Sequence, residues 1–250
     1  MCLLAIQYQT ARDAPVLLAQ NREEFFDRPT QPPRIQSGRP RVICGIDRKP
    51  GGGGTWLGVN QHGLVVTVAN RPKTVVLPEP RSRGLLCREL LNLETAAQAA
   101  DYAARELATG RYAGANFVCM DAKSALVVHG GDSTEVIELP PGLHVLTNRD
   151  VNDTADERQD LVRRLLTLQR LDSAVAFLAV ASRTFSRRPD TSGRRGVVLR
   201  GPDYGTVSST LLSLPKKTHN SVFHYAPGPP SEHSYDDLSA LLRQVLSTDK

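Results

Sequence analysis

The sequence predicts an α+β fold in which antiparallel strands and helices form a layered sandwich. Short apolar runs occur in blocks separated by turn residues, which is typical of antiparallel strands. Segments with helical periodicity form separate blocks, so the order is strands, helices, strands, helices, strands and a final helix. The 250 residues are 40% apolar and 23% charged, an ordinary globular composition in a chain long enough for a sizeable core.

The first block of strands begins near the amino end. Residues 2–9 predict one strand, and residues 16–19 predict its hairpin partner across Asp13-Ala14-Pro15. The polar, proline-rich stretch 21–40 predicts a long ordered loop, and the consecutive glycines 51–54 indicate a flexible one. The other predicted strands of this block are 42–46, 56–59 and 64–69.

Two helices are predicted next. Ser82 is a candidate N-cap for the first helix, which ends near Leu91. The second helix runs from about Leu93 to Ala108, where alanines recur at helical spacing, and Gly110 stops it. The strands predicted after it form a meander at 116–120, 125–129, 135–139 and 143–146.

Helices return in the second half of the chain. The segment Thr154-Ala155-Asp156-Glu157 has the pattern of a capping box, which predicts a helix to about Arg170. Another helix is predicted over 172–182, and Ser234 is a candidate cap for the last one. The remaining predicted strands are 196–199, 206–214 and 221–225. No internal repeat or linker divides the chain, so residues 1–250 are predicted to form a single domain.

Charge and composition restrict the expected partners. The net charge is +5 and the pI is about 9.2, which permits anionic ligands such as carboxylates, phosphates or coenzyme A thioesters. Aromatic residues make up 5% of the chain and no nucleic-acid motif is present, so nucleic acid is not an expected partner. The expected partner is a small anionic or hydrophobic molecule, and the oligomeric state is left open.

The cysteines and the amino end bear on the compartment. The four cysteines are widely spread and form no CxxC pair, which argues against a zinc ribbon and a disulfide framework. The opening Met-Cys-Leu-Leu-Ala-Ile is too short for a signal peptide, and no run approaches the ~20 apolar residues of a membrane span. The sequence therefore predicts a soluble cytoplasmic protein without a transmembrane segment.

Two sets of cationic side chains have alternative interpretations. Residues 183–196 are rich in arginine, and they form either a solvated loop or a basic lid over an anionic ligand. The histidines lack the pairing typical of a metal site, so no metal is expected. The histidines are either hydrogen-bonded within the protein or exposed. Alternatively, one of them ligates the iron of a bound haem.

Cys2 is the first candidate for covalent chemistry. Removal of Met1 would give this cysteine a free α-amino group, whose reference pKa lies near 8. That amine could act as the general base for the thiol, directly or through a water molecule, and the thiolate is the attacking species. The alternative is an ordinary buried cysteine in a first strand.

Five polar motifs stand at the ends of predicted strands or beside them. They are Asn21-Arg22-Glu23-Glu24, Gly54-Thr55-Trp56-Leu57-Gly58, Asn70-Arg71, Thr147-Asn148-Arg149 and Tyr204-Gly205-Thr206-Val207-Ser208-Ser209-Thr210. Asparagine supplies two donors and an acceptor, and arginine supplies a fork that fits a carboxylate. We expect Cys2, Arg22, Asn70, Asn148 and Arg149 to line one pocket.

Together with Cys2, these motifs resemble the NRDE family, also called the transport and Golgi organisation protein 2 family. Its members begin Met-Cys, carry an Asn-Arg-Asp-Glu tetrad soon afterwards, and share Gly-Gly-Thr-Trp-Leu-Gly, Thr-Asn-Arg and Tyr-Gly-Thr segments. The resemblance extends from Cys2 to at least Thr210. This chain departs from the pattern at Glu23, where the family has aspartate, so the carboxylate lies one methylene further from the backbone.

The resemblance implies a fold similar to the N-terminal-nucleophile hydrolases, a four-layer αββα sandwich of two antiparallel sheets between helices. Penicillin V acylases and bile-salt hydrolases have a similar layout. By this resemblance Cys2 is the nucleophile, Arg22 modulates its amine and thiolate, and Glu23 orients Arg22 or the amine. Asn70 or Asn148 donates to the oxyanion. The implied ligand-binding residues are Asn21, Glu24, Trp56 and Arg149, the last for an anionic group.

Two functions from different classes follow from the resemblance. In the first, the protein binds or handles an anionic hydrophobic ligand, such as haem, acyl-coenzyme A or lipid, in trafficking. In the alternative, it is a cysteine-dependent amidohydrolase that cleaves linear, non-peptide amide bonds through an acyl-enzyme on Cys2. A carrier should tolerate loss of the Cys2 thiol, whereas a hydrolase should not.

Overall fold

The computed structural model describes residues 2–49, 51–189 and 196–247. The chain divides into two compact units. One comprises Met1–Asp27 and Pro141–Ala240, and the other comprises Arg28–Pro140 and Leu241–Lys250. The single domain over 1–250 stays a prediction.

The elements follow one another in the blocks expected from the sequence. The strands are β1 (Cys2–Tyr8), β2 (Val16–Phe25), β3 (Thr30–Gln36), β4 (Val42–Asp47), β5 (Leu57–Asn60), β6 (Val65–Asn70), β7 (Ala115–Met120), β8 (Ala125–Gly130), β9 (Thr134–Glu138), β10 (Gly142–Leu146), β11 (Tyr204–Leu214), β12 (Val222–Ala226) and β13 (Asp236–Asp237). The helices are α1 (Arg83–Leu90), α2 (Ala96–Ala108), α3 (Glu157–Thr167), α4 (Ala174–Phe185) and α5 (Ser239–Leu246), with a short 3-10 helix at Thr218–Asn220.

Within its described residues, the first unit contains a six-stranded antiparallel sheet in the order β10-β1-β2-β11-β12-β13. Alternate residues of a strand point to opposite faces, so Leu3 and Ala5 share one face, which packs against α3 and α4. Phe177 and Phe185 of α4 are fully buried in this core. Burial of such side chains stabilises the unit by roughly 1.5–3 kcal/mol each.

The second unit is built around another sheet. Its described strands form a seven-stranded antiparallel sheet in the order β3-β4-β5-β6-β7-β8-β9. Helices α1 and α2 pack on it, and the small side chains of Ala99, Ala100 and Ala103 are buried in the contact. Short alanine side chains allow the backbone of α2 to lie close to the sheet.

The structure confirms the predicted α+β class with two antiparallel sheets and helices packed on them. Each sheet buries an apolar face under its own pair of helices, which is the usual way in which a sheet excludes water from one side. Within residues 2–49, 51–189 and 196–247, no helix combines the length and the apolar character needed to cross a membrane.

The helix caps show where the sequence signals were correct. Ser82 caps α1 as predicted, because its side chain accepts a hydrogen bond from the amide of Leu85 at 3.2 Å. The predicted cap of α3 at Thr154 is wrong. Asp156 is the N-cap instead, and its carboxylate accepts from the amides of Arg158 at 2.9 Å and Gln159 at 3.2 Å.

The predicted loop over 21–40 is also wrong. Strand β2 continues to Phe25, and β3 occupies Thr30–Gln36. The polar residues Asn21, Arg22 and Glu23 are buried inside β2. Polar composition indicates solvent exposure only when the side chains lack partners within the protein, and here Asn21 and Glu23 have partners from distant parts of the chain.

Two later predictions need correction. Residues 196–199 do not form a strand, because the amides of Val197 and Val198 both donate to the carbonyl of Arg187, at 2.9 and 3.0 Å. Ser234 does not cap the last helix, which begins at Ser239 after β13. The carboxylate of Asp237 accepts from the amide of Ser239 at 2.9 Å.

The glycines at 51–54 were interpreted as a flexible loop, yet Gly54 lies in tight contact with α1. A Cβ added at Gly54 would lie 2.4 Å from the carbonyl carbon of Gly84. The backbones are also joined, since the amide of Thr55 donates to the carbonyl of Gly84 at 2.9 Å. Glycine is therefore required at this position for close approach of two backbones.

Replacing Gly54 with alanine should destabilise the protein by about 3 kcal/mol or more, the upper end for overpacking, because backbone atoms would have to move. Urea unfolding measures the effect. Gly63→Ala is the comparison, because a Cβ there meets nothing within 4 Å and only its φ of +78° is unfavourable, at about 1 kcal/mol. Equal losses in the two variants would contradict the tight contact at Gly54.

Candidate functional site

Cys2 and Arg22 lie side by side in the first unit. Cys2 is the first residue of β1, and Arg22 of β2 is its cross-strand partner. Directly opposed residues of an antiparallel pair have Cβ atoms about 4.5–5.5 Å apart, on the same face. The exposed fraction is 6% for Cys2 and 5% for Arg22. The sheet therefore places Cys2 and Arg22 next to each other on one face, and both residues are buried.

Strand alternation divides the Asn-Arg-Glu-Glu tetrad between the two faces of the sheet. Arg22 and Glu24 share the face of Cys2, and Nη2 of Arg22 lies 3.8 Å from Oε2 of Glu24. Asn21 and Glu23 point to the opposite face, where α3 and α4 pack. The amide nitrogen of Asn21 donates to the carbonyl of Phe185, the last residue of α4, at 3.0 Å.

Glu23 is held by Arg158, the second residue of α3. The Glu23 carboxylate is fully buried and accepts two hydrogen bonds from the Arg158 guanidinium, one of them at 3.1 Å. Burial alone would lower the pKa of Arg158, but the charge and hydrogen bonds of Glu23 outweigh it and raise the pKa. The proposed role of Glu23 in orienting Arg22 or the amine stays a prediction.

The Tyr-Gly-Thr motif forms the other side of this arrangement. It lies on β11, which pairs with β2, and a β-bulge occurs between Thr206 and Ser208. As a result Thr206 stands opposite Glu23, and Ser208 stands opposite Arg22 on the Cys2 face. The backbone carbonyl of Glu23 accepts from the Tyr204 hydroxyl at 2.7 Å. The motif therefore borders the tetrad residues on both faces of β2.

Tyr225 of β12 is a further member of this neighbourhood. Burial raises the pKa of its hydroxyl, whereas the nearby Ser208 hydroxyl and the charge of Arg22 act to lower it. Tyr225 is 5% exposed. Tyr225 is thus near enough to Arg22 for the guanidinium charge to act on its hydroxyl.

Thr147 follows β10, the other neighbour of β1, and Asn148 and Arg149 come next. The pairing of β1 with β10 ends at Leu4 and Leu146, so Asn148 lies just beyond the paired part of the sheet. Asn148 is partly exposed and Arg149 is exposed. The preceding Thr147 accepts a hydrogen bond from the buried Gln159 at 3.1 Å, so α3 fixes the start of this segment.

Asn70 and Trp56 belong to the second unit. Asn70 is the last residue of β6 and its side chain is exposed. Trp56 is 7% exposed, and its ring approaches Gly45 so closely that a Cβ there would lie 2.3 Å away. Trp56 is therefore a packed core residue of its unit. The expected convergence of Asn70 with Cys2, and ligand binding by Trp56, stay predictions.

Two of the histidines have the hydrogen-bond partners of structural side chains. His129 and His144 are buried, and their Nδ1 atoms lie 2.7 and 2.9 Å from side-chain atoms of Asn116 and Asn152 respectively. Among the described residues, no group of three or more histidines, cysteines or acids could hold a metal ion. In the arginine-rich segment, Arg194 and Arg195 lie outside the described residues, so the basic lid stays a prediction.

Arg158 and Tyr225 are not singled out by the sequence. Arg158 is one of several charged residues on α3, and Tyr225 is one aromatic residue in a short strand. Only the pairing of β2 with β11 and the packing of α3 bring them to the tetrad. No local spacing in the chain signals these contacts.

Comparison with known sequences agrees with the resemblance. The family model "Transport and Golgi organisation 2" matches residues 1–225. The Transport and Golgi organization protein 2 homolog of Bos taurus is 27% identical over 232 residues, covering 82% of this chain and 83% of that protein. The Homo sapiens homolog is 29% identical over 232 residues, with the same coverage of 82% and 83%.

Solved structures with the same fold include three hydrolases. A C2A variant of conjugated bile acid hydrolase from Clostridium perfringens gives a TM-score of 0.53 at 12% identity, covering 96% of this chain and 93% of that one. A Caenorhabditis elegans ortholog of N-acylethanolamine-hydrolyzing acid amidase gives 0.57 at 15% identity, covering 86% and 94%. Penicillin V acylase from Agrobacterium tumefaciens gives 0.50 at 15% identity, covering 90% and 83%.

These likenesses establish the fold of the N-terminal-nucleophile hydrolases. They do not by themselves assign an activity, because one fold supports many functions. The family assignment rests on the sequence match, which covers most of the chain. This match includes Cys2, the tetrad and the Tyr-Gly-Thr segment. On that match, the chain belongs to the Transport and Golgi organisation 2 family.

Proposed function

We propose that the protein is a cysteine-dependent amidohydrolase that cleaves a linear, non-peptide amide bond through an acyl-enzyme on Cys2. The observation that supports this most is the cross-strand pairing of Cys2 with the buried Arg22. A cation beside a thiol favours its ionised, nucleophilic form.

The proposed reaction begins once Met1 has been removed. The free α-amine takes the proton of the Cys2 thiol, directly or through a water molecule, and the thiolate attacks the amide carbonyl. The tetrahedral intermediate collapses and the C–N bond breaks, while the leaving amine takes the proton from the ammonium group. Water then hydrolyses the thioester, releases the carboxylic acid and restores the thiol.

Arg22 and Asn148 have distinct tasks in this proposal. Arg22 stabilises the thiolate, and its 3.8 Å ion pair with Glu24 restrains the guanidinium. Asn148, which lies just beyond the paired part of β1 and β10, is the proposed donor to the oxyanion of the tetrahedral intermediate. Asn70 is the other proposed oxyanion donor.

An N-acyl amide is the proposed substrate class. The solved structures that share the fold are named as a conjugated bile acid hydrolase, an N-acylethanolamine-hydrolyzing acid amidase and a penicillin V acylase. Their names describe hydrolases that act on small acylated molecules. The net charge of +5 and the exposed Arg149 are consistent with an anionic group on the substrate.

The second candidate is binding without turnover, in which the protein carries an anionic hydrophobic ligand such as haem, acyl-coenzyme A or a lipid in trafficking. The exposed Arg149 after β10 supports it, because guanidinium groups pair with carboxylates and phosphates. A haem ligand would offer the carboxylates of its propionates to such a guanidinium.

The first test is the intact mass of the purified full chain before and after iodoacetamide at neutral pH. The hydrolase predicts the mass without Met1 and one adduct, which is absent from Cys2→Ala. Cys44→Ala is the matched control. Burial raises the pKa of the Cys44 thiol to about 11, so this thiol should remain protonated and unreactive at neutral pH.

Hydrolysis is then measured with a fatty-acyl amide of 7-amino-4-methylcoumarin. Cys2→Ala should lower the rate by about 10³-fold or more, and Cys44→Ala should leave it unchanged. A retained Met1, or an unchanged rate in Cys2→Ala, would reject the hydrolase. Titrations with haem and acyl-coenzyme A would then test the carrier, which predicts weaker binding by Arg149→Gln and unchanged binding by Cys2→Ala.

A further inference from the structure

We propose that Arg158 is a positioning residue of the Cys2 site, because it holds Glu23 and thereby the end of β2 that carries Arg22. This inference rests on the proposed function, since it concerns the reactivity of Cys2. It assigns a task to α3, a helix that supplies none of the family motifs.

Arg158 contacts Glu23 on the face of the sheet that is opposite to Cys2 and Arg22. Glu23 and Arg22 are consecutive, so they point to opposite faces, and fixing one side chain restrains the backbone of the other. The Glu23 carboxylate is fully buried, and both of its oxygens accept from the Arg158 guanidinium. A two-point contact fixes orientation as well as distance, so α3 limits the positions that Arg22 can take beside Cys2.

Arg158 also joins the tetrad to a third segment. Its Nη2 donates to the carbonyl of Val197 at 3.1 Å, close before β11. The same guanidinium therefore connects β2, α3 and the approach to β11. A lysine at this position would keep the charge but could not reproduce the planar fork that makes these contacts.

Electrostatics supports the same assignment. The pKa of Arg158 is raised although burial lowers it, because Glu23 first, then Asp156 and Cys2, favour the charged guanidinium. The charged guanidinium is therefore held in place mainly by Glu23, and Arg158 acts on Arg22 through this contact.

The carboxylate of Glu23 reaches the Arg158 guanidinium on α3 with the full length of a glutamate side chain. Aspartate at this position would be one methylene shorter. Glu23→Asp should weaken the contact without removing the charge.

The test compares the pH dependence of iodoacetamide labelling of Cys2 in the full chain. Arg158→Gln should move the pH midpoint upward by about one unit, and so lower the labelling rate at neutral pH by about tenfold. Arg158→Lys should also move it upward, because lysine keeps the charge but lacks the fork that holds Glu23. Arg164→Gln is the matched control, since Arg164 lies on the same helix with its side chain 64% exposed, and it should match the unchanged protein.

Thermal unfolding of each variant separates an effect on the site from loss of the fold. If the pH midpoint of Cys2 labelling in Arg158→Gln equals that of the unchanged protein, the inference is overturned, whatever the melting temperature. The proposed hydrolase is then unaffected. If the unchanged protein shows no selective labelling of Cys2 and no hydrolysis, the proposed function fails instead. A midpoint that rises in both Arg158→Gln and Arg158→Lys supports the positioning role, because both variants lose the two-point contact with Glu23.

Discussion

Arg22→Gln should lower kcat/KM for a fatty-acyl coumarin amide by about 10²- to 10³-fold, the usual effect of removing one preorganised charged or hydrogen-bonding group from a site. Arg22 is 5% exposed and stands opposite Cys2, so water cannot readily replace its guanidinium. Glutamine fills similar space without the charge, which isolates the electrostatic contribution to the thiolate. Steady-state kinetics on the chain lacking Met1 measures the effect.

Arg12→Gln is the control for this experiment. Arg12 lies in the turn between β1 and β2, and its side chain is 76% exposed beside Asp172. The same substitution in the same hairpin should leave the kinetics unchanged, because an exposed ion pair contributes little. If Arg22→Gln is as active as Arg12→Gln, Arg22 does not assist Cys2.

Glu23→Ala should lower the free energy of unfolding by about 3 kcal/mol, the lower end of the range for breaking a buried ion pair. The variant leaves the Arg158 guanidinium without its carboxylate, and only part of that cost can be recovered because the Arg158 side chain is 26% exposed. Urea unfolding followed by circular dichroism measures the change. The free energy of unfolding of Glu23→Asp should lie between that of Glu23→Ala and that of the unchanged protein.

Glu24→Ala provides the comparison for stability. Glu24 is the next residue, on the opposite face, and its ion pair with Arg22 is longer, at 3.8 Å, with the side chain 17% exposed. We expect a loss of about 1 kcal/mol or less. Similar losses for Glu23→Ala and Glu24→Ala would mean that Arg158 stabilises the fold no more than a peripheral ion pair does.

The sequence predicted the parts of the fold that have a local signal. The hairpin of β1 and β2, the cap at Ser82 and the blocks of strands and helices follow from apolar spacing and turn residues. The motifs around Arg22 and Ser208 were also identified, and β2 and β11 bring them next to each other. Short-range patterns were sufficient there because the signals lie within single elements.

The rest depends on contacts between distant residues. The tetrad was expected in a loop, yet it lies inside β2, because Phe185 and Arg158 supply partners from more than a hundred residues away. The same limitation applies to Asp237, whose carboxylate accepts from the first amide of α5, whereas Ser234 had been expected to cap this helix. A polar residue carries no mark in the sequence that shows whether its partner is water or another part of the protein.

The location of Cys2 also affects how the protein should be produced. Cys2 opens β1, an inner strand with β2 on one side and β10 on the other. An affinity tag fused upstream would have to leave the sheet between these two neighbours, and it would cap the amino group with a peptide bond. A purification tag therefore belongs after Lys250, or upstream only with a protease site that leaves Cys2 as the first residue.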